Sequence, residues 1–377
     1  MAKLTRASPK IPSVDFTFSP EQDAFRSVTR SFLAEEATGA YVRAMLENDR
    51  GYTDALWDRA VALGWPGLAV PVAHGGAGQG MLELVILSEE IGALPLPGPW
   101  LSSVVAATLL ARRLPDPLLL PHLANGSQRA TVAVEETGTR NPLDGITTTA
   151  RRRGDQWLLN GLKPLVIDGH TADVVYVVAR DGDGLATFAL DSPQGELVPN
   201  LDVTRKVARL VLEGRPSRRV GPAHDQRSLL ARVIDDIGIA VCAESVGASQ
   251  RALEMATEYA KHRVQFGRPI ATFQVIKHKI VDMLHQLELA RVATHYAAWA
   301  SEVEDPGREA AAAVAQGFVA EAATMITAEN IQIHGGVGFT WDVDCHLLFR
   351  RVKANDMLFG RQGWQRQRLA DLVLGPT

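Results

Sequence analysis

The sequence predicts an α+β chain in three successive regions. These are a helical N-terminal domain over residues 14–125, a middle antiparallel β-barrel-like domain over 126–225, and a C-terminal four-helix bundle over 226–377. Apolar residues keep helical spacing to about residue 125, the period falls to two near Ala130, and helical spacing returns near Ser228. The 377 residues suit two or three domains of ordinary size, roughly 100–200 residues each.

The first region opens on Ser19-Pro20-Glu21-Gln22, where serine can cap a helix and proline suits its first turn. A helix over 57–63 stops at Gly64. The glycine-rich loop 68–80 has no Gly-Lys-Ser/Thr and follows no strand, so it reads as a turn before a helix at 82–91, not as a phosphate loop. Residues 109–123 hold Arg112, Arg113, Asp116 and three prolines and read as a surface connection. In the middle region, 131–135 alternates, and 147–151 and 156–159 flank the turn Arg153-Gly154-Asp155. Asn160-Gly161 reads as a second hairpin turn, and 174–180 pairs with 187–190 across the turn at 181–184. In the third region Val246, Leu253, Ala256 and Ala260 share one helical face. Ile276, Ile280, Met283, Leu284 and Leu287 form a second stripe, and the alanine-rich segment 307–325 allows close packing.

Composition narrows the function classes. The chain is 46% apolar and 22% charged with a formal net charge of −4, which steers it toward neither nucleic acid nor anionic membrane. Cys242 and Cys345 stand far apart, giving no disulfide framework and no cysteine-based metal site. The first twelve residues are polar and basic without an apolar core, so no secretory signal is expected, and no run reaches the ~20 apolar residues of a membrane span. The expectation is a cytoplasmic protein.

Two motifs carry chemistry. One is Arg263-Val264-Gln265-Phe266-Gly267-Arg268-Pro269, running on to Phe273-Gln274; the other is Gln332-Ile333-His334-Gly335-Gly336-Val337-Gly338-Phe339, followed by Arg350-Arg351. Arginine offers a planar cation, phenylalanine an aromatic face, and the glycines close backbone approach. In this order of domains they resemble the C-terminal signature of the acyl-CoA dehydrogenases, and the segment 63–71 resembles that family's N-terminal domain. The resemblance implies FAD as cofactor and oxidation of an acyl-CoA between Cα and Cβ, with electron-transferring flavoprotein as acceptor. It also implies that one subunit's middle domain holds the flavin ring while a neighbour's C-terminal domain holds the adenosine and pyrophosphate. Arg263, Gln265, Phe266, Gly267, Gln332, Gly335 and Gly336 match that second role. His334 reads as packed or at a cofactor edge, and Arg350, Arg351 and Lys353 as a solvated face.

The chain departs from the family elsewhere. Where a hydroxyl residue should face the flavin, it reads Val134-Glu135-Glu136-Thr137-Gly138-Thr139-Arg140. Leu165 and Ile167 stand where the stacking aromatic and the flavin N5 partner should be, and Phe359 stands at the usual position of the catalytic base, in Leu358-Phe359-Gly360-Arg361. Asp235 and Asp236 are alternative bases, or else carboxylates favouring the first turn of a solvated helix; Glu244 is a weaker candidate. Losses confined to the ring side resemble the degenerate partner subunit of actinobacterial heteromeric acyl-CoA dehydrogenases. This implies a homologous catalytic subunit, an α2β2 assembly, and a cofactor site completed from this chain. The other readings are a homomeric dehydrogenase using Asp235 or Asp236, a non-dehydrogenase flavoprotein, and an acyl-CoA-binding subunit without redox chemistry.

Overall fold

The computed structural model describes residues 18–136, 141–182, 184–360 and 362–375. Six helices come first: α1 (Pro20–Glu36), α2 (Gly39–Leu46), α3 (Asp54–Ala62), α4 (Met81–Ala93), α5 (Thr108–Arg113) and α6 (Leu120–Ala124). A π-helical stretch, Trp100–Ala107, leads into α5. The expected serine cap forms: Ser19 Oγ accepts from Gln22 N–H at 3.3 Å, and Gln22 Oε1 accepts from Ser19 N–H at 3.0 Å. Trp65 packs against Phe32 and Trp100, and Trp100 against Trp57, with ring centroids 5.0–5.7 Å apart. Such rings contribute much of the apolar area a core buries.

Residues 109–123 are not a surface connection. Leu109, Leu110, Leu114, Leu119, Leu120 and Leu123 are buried, and Pro121 sits in the first turn of α6, where its missing N–H costs nothing. Asp116 is buried as well, accepting from Tyr176 Oη at 2.8 Å and from Arg218 at 2.9 Å. Charge and proline count suggested solvent, but the leucine spacing decided the burial.

The middle region has strands β1 (Ala130–Ala133), β2 (Thr149–Arg153), β3 (Gln156–Ile167), β4 (Val174–Asp181), β5 (Gly184–Asp191), β6 (Glu196–Val198) and β7 (Val207–Val220). β4, β2, β3, β7 and β5 close a ring of pairings, because β4 also pairs with β5; this is the expected barrel-like sheet. The ladders are antiparallel except those of β1 and β2 with β4. Asn160-Gly161 is not a turn. β3 runs through it, Asn160 Oδ1 accepts from Gly214 N–H at 2.9 Å, and the register with β7 shifts there. Gly161 has φ +152°, and a Cβ on it would fall 2.4 Å from Thr148 Oγ1, so the dipeptide makes an irregularity that lets two strands approach.

The last region has α7 (Arg227–His262), a two-stranded hairpin of β8 (Val264–Gln265) and β9 (Arg268–Pro269), α8 (Gln274–Glu302), α9 (Arg308–His334), α10 (Cys345–Asn355) and α11 (Gln362–Leu374). Val246, Leu253, Ala256 and Ala260 are buried as their spacing predicts; of the second stripe, Met283 and Leu287 are buried while Leu284 is exposed. By length and composition α9, with the turn after it, could cross a membrane, yet most of it packs inside the bundle. Its alanines allow the close approach of α7 and α8. The first and last regions share one core, in which α4 and α7 touch through glycine: a Cβ on Gly247 would lie 1.9 Å from Glu89 O, and one on Gly92 2.1 Å from Glu244 O. The barrel keeps a second, smaller core.

Candidate functional site

Helix α7 ends at Arg263, and the chain turns in two residues, Phe266 with φ +54° and Gly267 with φ +78°. Two positive φ values make a hairpin whose twist matches its strands, a turn in which Asn-Gly is the usual choice. A phenylalanine there is strained, and strain of this kind gathers where a residue must be presented. Phe266 is 90% exposed, its ring edge-to-face with Phe273 at 6.1 Å between centroids. Arg263 and Gln265 are exposed alongside it. At the end of α9, Gln332, Gly335 and Gly336 are exposed, and a Cβ on Gly267, Gly335 or Gly336 would meet nothing within 4 Å. A ligand could therefore come close to the glycine backbone at both motifs, although the Gly335 N–H itself closes α9 on Gln332 O and Ile331 O. His334 is packed, its Nδ1 at 2.8 Å from Asn330 O and its ring stacked on Tyr259 at 4.3 Å.

Between the barrel and the end of α10 lies a cavity of about 260 Å³. Leu165, Ile167, Met357 and Phe359 give it apolar walls, and Glu135 lines it too. Phe359 N–H donates to Glu135 Oε1 at 2.8 Å, and Phe359 takes a left-handed φ of +53°. Beneath Glu135, the buried Lys163 donates to Val134 O at 2.7 Å and to Glu136 Oε1 at 2.8 Å. Burial raises the Glu136 carboxyl, but Lys163, Thr147 and Thr148 together hold it down at about 2; burial lowers Lys163 to about 8. Residues 137–140 and Arg361, which continue these two segments, lie outside the described residues.

The carboxylate candidates on α7 are committed elsewhere. Asp235 and Asp236 are buried in its third turn, neither solvated nor among the residues lining the cavity. Arg368 clamps Asp235 with bonds of 2.5 and 2.7 Å. Asp236 accepts from Ser301 Oγ and lies 3.7 Å from Arg113 and 3.8 Å from Arg232. Burial raises both carboxyls against the pull of these partners. Glu244 binds Arg205 at 2.5 Å. The expectation of a solvated basic run on α10 also fails for one member: Arg351 is buried, bonding Asp202 at 2.5 Å and Thr204 Oγ1 at 2.6 Å. Its spacing from Leu347, Leu348 and Asn355 already put it on the inner face of α10. Met357 and Leu201, at the cavity, carried no signal in the sequence. Among the described residues no group of three or more His, Cys, Asp or Glu could hold a metal ion.

Residues 19–113 match the family model described as acyl-CoA dehydrogenase, N-terminal domain, and residues 234–374 the one described as acyl-CoA dehydrogenase, C-terminal domain. The chain is 32% identical over 340 residues to acyl-CoA dehydrogenase IpdE2 of Mycobacterium tuberculosis, covering 90% of this chain and 92% of that protein. Among solved structures, the Tcur3481-Tcur3483 steroid ACAD is 31% identical with a TM-score of 0.85, covering 94% of this chain and 98% of that one. The ChsE4-ChsE5 complex from Mycobacterium tuberculosis is 26% identical with a TM-score of 0.86, covering 97% and 100%.

Proposed function

This chain belongs to the acyl-CoA dehydrogenase family, whose members are FAD flavoproteins, and from that premise we propose that it is the supporting subunit of a heteromeric enzyme. It grips the nucleotide end of an FAD whose ring sits on a homologous catalytic subunit. The observation that carries this reading is the contrast between its two halves. The strained, outward Phe266 and the open space beside Gly267, Gly335 and Gly336 suit a pyrophosphate and a ring brought by another chain. The chain's own cavity does not suit a flavin ring: Leu165 gives no aromatic face, Ile167 no hydrogen bond to N5, and Phe359 no proton acceptor. Glu135 would turn a carboxylate toward a ring that gains negative charge on reduction.

In this reading Arg263 pairs with the pyrophosphate, Gln332 hydrogen-bonds it, and Phe266 covers the cofactor. FAD, when bound, supplies the hydride acceptor for α,β-oxidation of an acyl-CoA, and electrons pass on to electron-transferring flavoprotein. The substrate class we favour is a bulky acyl-CoA such as a steroid side chain, the class suggested by the steroid ACAD it resembles. A homomeric enzyme is the second reading. Asp235 and Asp236 serve it poorly because arginine and serine already hold them, whereas Glu135, just past the end of β1, reaches the Phe359 backbone at the cavity.

The test is to purify the chain alone and co-expressed with a homologous subunit that has the missing base. The expected result is stoichiometric FAD and its reduction by acyl-CoA in the complex alone. A lone chain that binds one FAD and reduces it with an acyl-CoA defeats the proposal, and loss of that activity in Glu135→Gln would then identify the base.

A further inference from the structure

With the flavin ring on the other subunit, the cavity between the barrel and the end of α10 is left for a different occupant. Protein interiors are close-packed, and voids much larger than a water molecule are few. Apolar cavities stay dry and take apolar ligands. At about 260 Å³ this one falls just under the roughly 300–1,000 Å³ of sites for drug-sized molecules, so a compact molecule fits it. Val132, Val134, Ile167 and Val207 wall it on the barrel side and are buried, as is Phe359 opposite them. Leu165 and Met357 line it too and are exposed, which puts them at its mouth.

The polar groups on the wall select what enters. Arg205 is the one cation lining the cavity among the described residues, and Glu244 at 2.5 Å and Asn355 Oδ1 at 2.7 Å already hold its guanidinium. Asp202 accepts from Arg351 at 2.5 Å and from Thr204 N–H at 3.0 Å. An anionic ligand would meet Glu135 and Asp202 with no cation left to pair it, and a buried charge without a partner is costly. A carboxylate offers about four lone-pair sites over its two oxygens, so Glu135 accommodates a donor from a ligand beside the Phe359 N–H. Asn200 donates through Nδ2 to Arg205 O at 2.9 Å, which keeps its amide oxygen as a second acceptor. A neutral hydroxyl meets these acceptors without the desolvation that an ammonium group would suffer.

We propose that this cavity binds a small apolar alcohol, its body against Val132, Ile167 and Phe359 and its hydroxyl donating to Glu135. Glu135 follows β1 and Phe359 follows α10, so an occupant joins the barrel to the C-terminal region and holds the two together. The ligand is neither a flavin nor a thioester, and binding it forms and breaks no covalent bond. The inference rests on the heteromer reading only for the absence of a flavin ring from this cavity.

The experiment titrates the full-length chain with naphthol by calorimetry, beside naphthalene and naphthoate, which share its body. Naphthol should bind with one equivalent and raise Tm, and naphthoate should not bind. Naphthalene should bind about ten-fold more weakly, for want of a hydrogen bond to a charged acceptor. Glu135→Gln should bring naphthol down to the level of naphthalene. Leu165→Trp, at an exposed position where a larger side chain leaves the core intact, should block the mouth and abolish binding of both. The FAD-loaded complex with the homologous subunit should bind naphthol with unchanged affinity, one per copy of this chain. No naphthol binding, naphthalene or naphthoate binding as tightly, an affinity that either substitution leaves intact, or displacement by riboflavin or an acyl-CoA overturns the proposal. Failure of the heteromer reading shows separately, as FAD carried by the lone chain before any titration.

Discussion

Asp168 ends β3 with a left-handed φ of +53°, a conformation that aspartate and asparagine tolerate better than most residues. Its Oδ2 accepts from Ser102 Oγ at 2.5 Å, and burial pushes its carboxyl up to about 7 against that bond and the attraction of Arg205 and Arg351. The unfolded chain would release this proton near 3.8, so between about pH 4 and 7 the folded state holds more protons than the unfolded. Asp168 therefore favours the fold in acid, and its contribution is lost as pH rises through 7. Asp168→Asn should flatten that fall and raise stability at pH 8 by up to ~4 kcal/mol, read from denaturant unfolding across pH. An unchanged pH profile would exclude this role. The pattern at 163–169 marked the segment as unusual. The burial of Asp168 could not be read there, because Ser102 comes from a π-helix in another region.

Among the elements, the hairpin between α7 and α8 gives the most direct test of strain held for function. Phe266→Asn puts the preferred residue into the turn and should relieve about 1 kcal/mol. The lone chain should then melt at the same or a higher temperature, while the complex with its homologous subunit should lose FAD more readily on dilution, followed by flavin absorbance. Equal FAD retention would remove Phe266 from the grip. Arg263 and Gly267 were legible as candidates because the motif they stand in resembles the family's, and their residue types suit the role it implies. The geometry that makes them an arm, two positive φ values in succession, needed coordinates. Helix α10 shows the opposite case: three basic residues suggested a solvated face, but the inner spacing of Arg351 overrode composition.

At the scale of the molecule, one buried network ties the three regions together. Arg351 of α10 bonds Asp202 and Thr204 beside the barrel and lies 3.3 Å from Pro95 O in the N-terminal region, while Arg205 joins Glu244 of α7 and Asn355 of α10. Two arginines and two carboxylates balance there. Breaking such a set leaves a buried charge uncompensated, which costs about 3–5 kcal/mol, whereas replacing both partners costs far less. Arg351→Met should lower the melting temperature sharply, and the double variant Arg351→Met/Asp202→Asn should recover much of the loss. Additive losses in that cycle would refute the coupling. Asp202 and Arg205 also line the cavity, so the network fixes one of its walls.

Periodicity alone determined the order helical, barrel-like, helical, since burying one face of a helix or strand imposes its spacing locally. Residue type and spacing likewise picked out the segments 263–274 and 332–339, while the resemblance to the family supplied the nucleotide role expected of them and the contrast in which Leu165, Ile167 and Phe359 stand out. Tertiary structure decided what depends on residues far apart in the chain. It set the single core shared by the first and last regions, the commitment of Asp235, Asp236 and Glu244 to partners, and the approach of Glu135 to Phe359. Charges and polar groups take their chemical character from burial and neighbours, and those are properties of the folded chain.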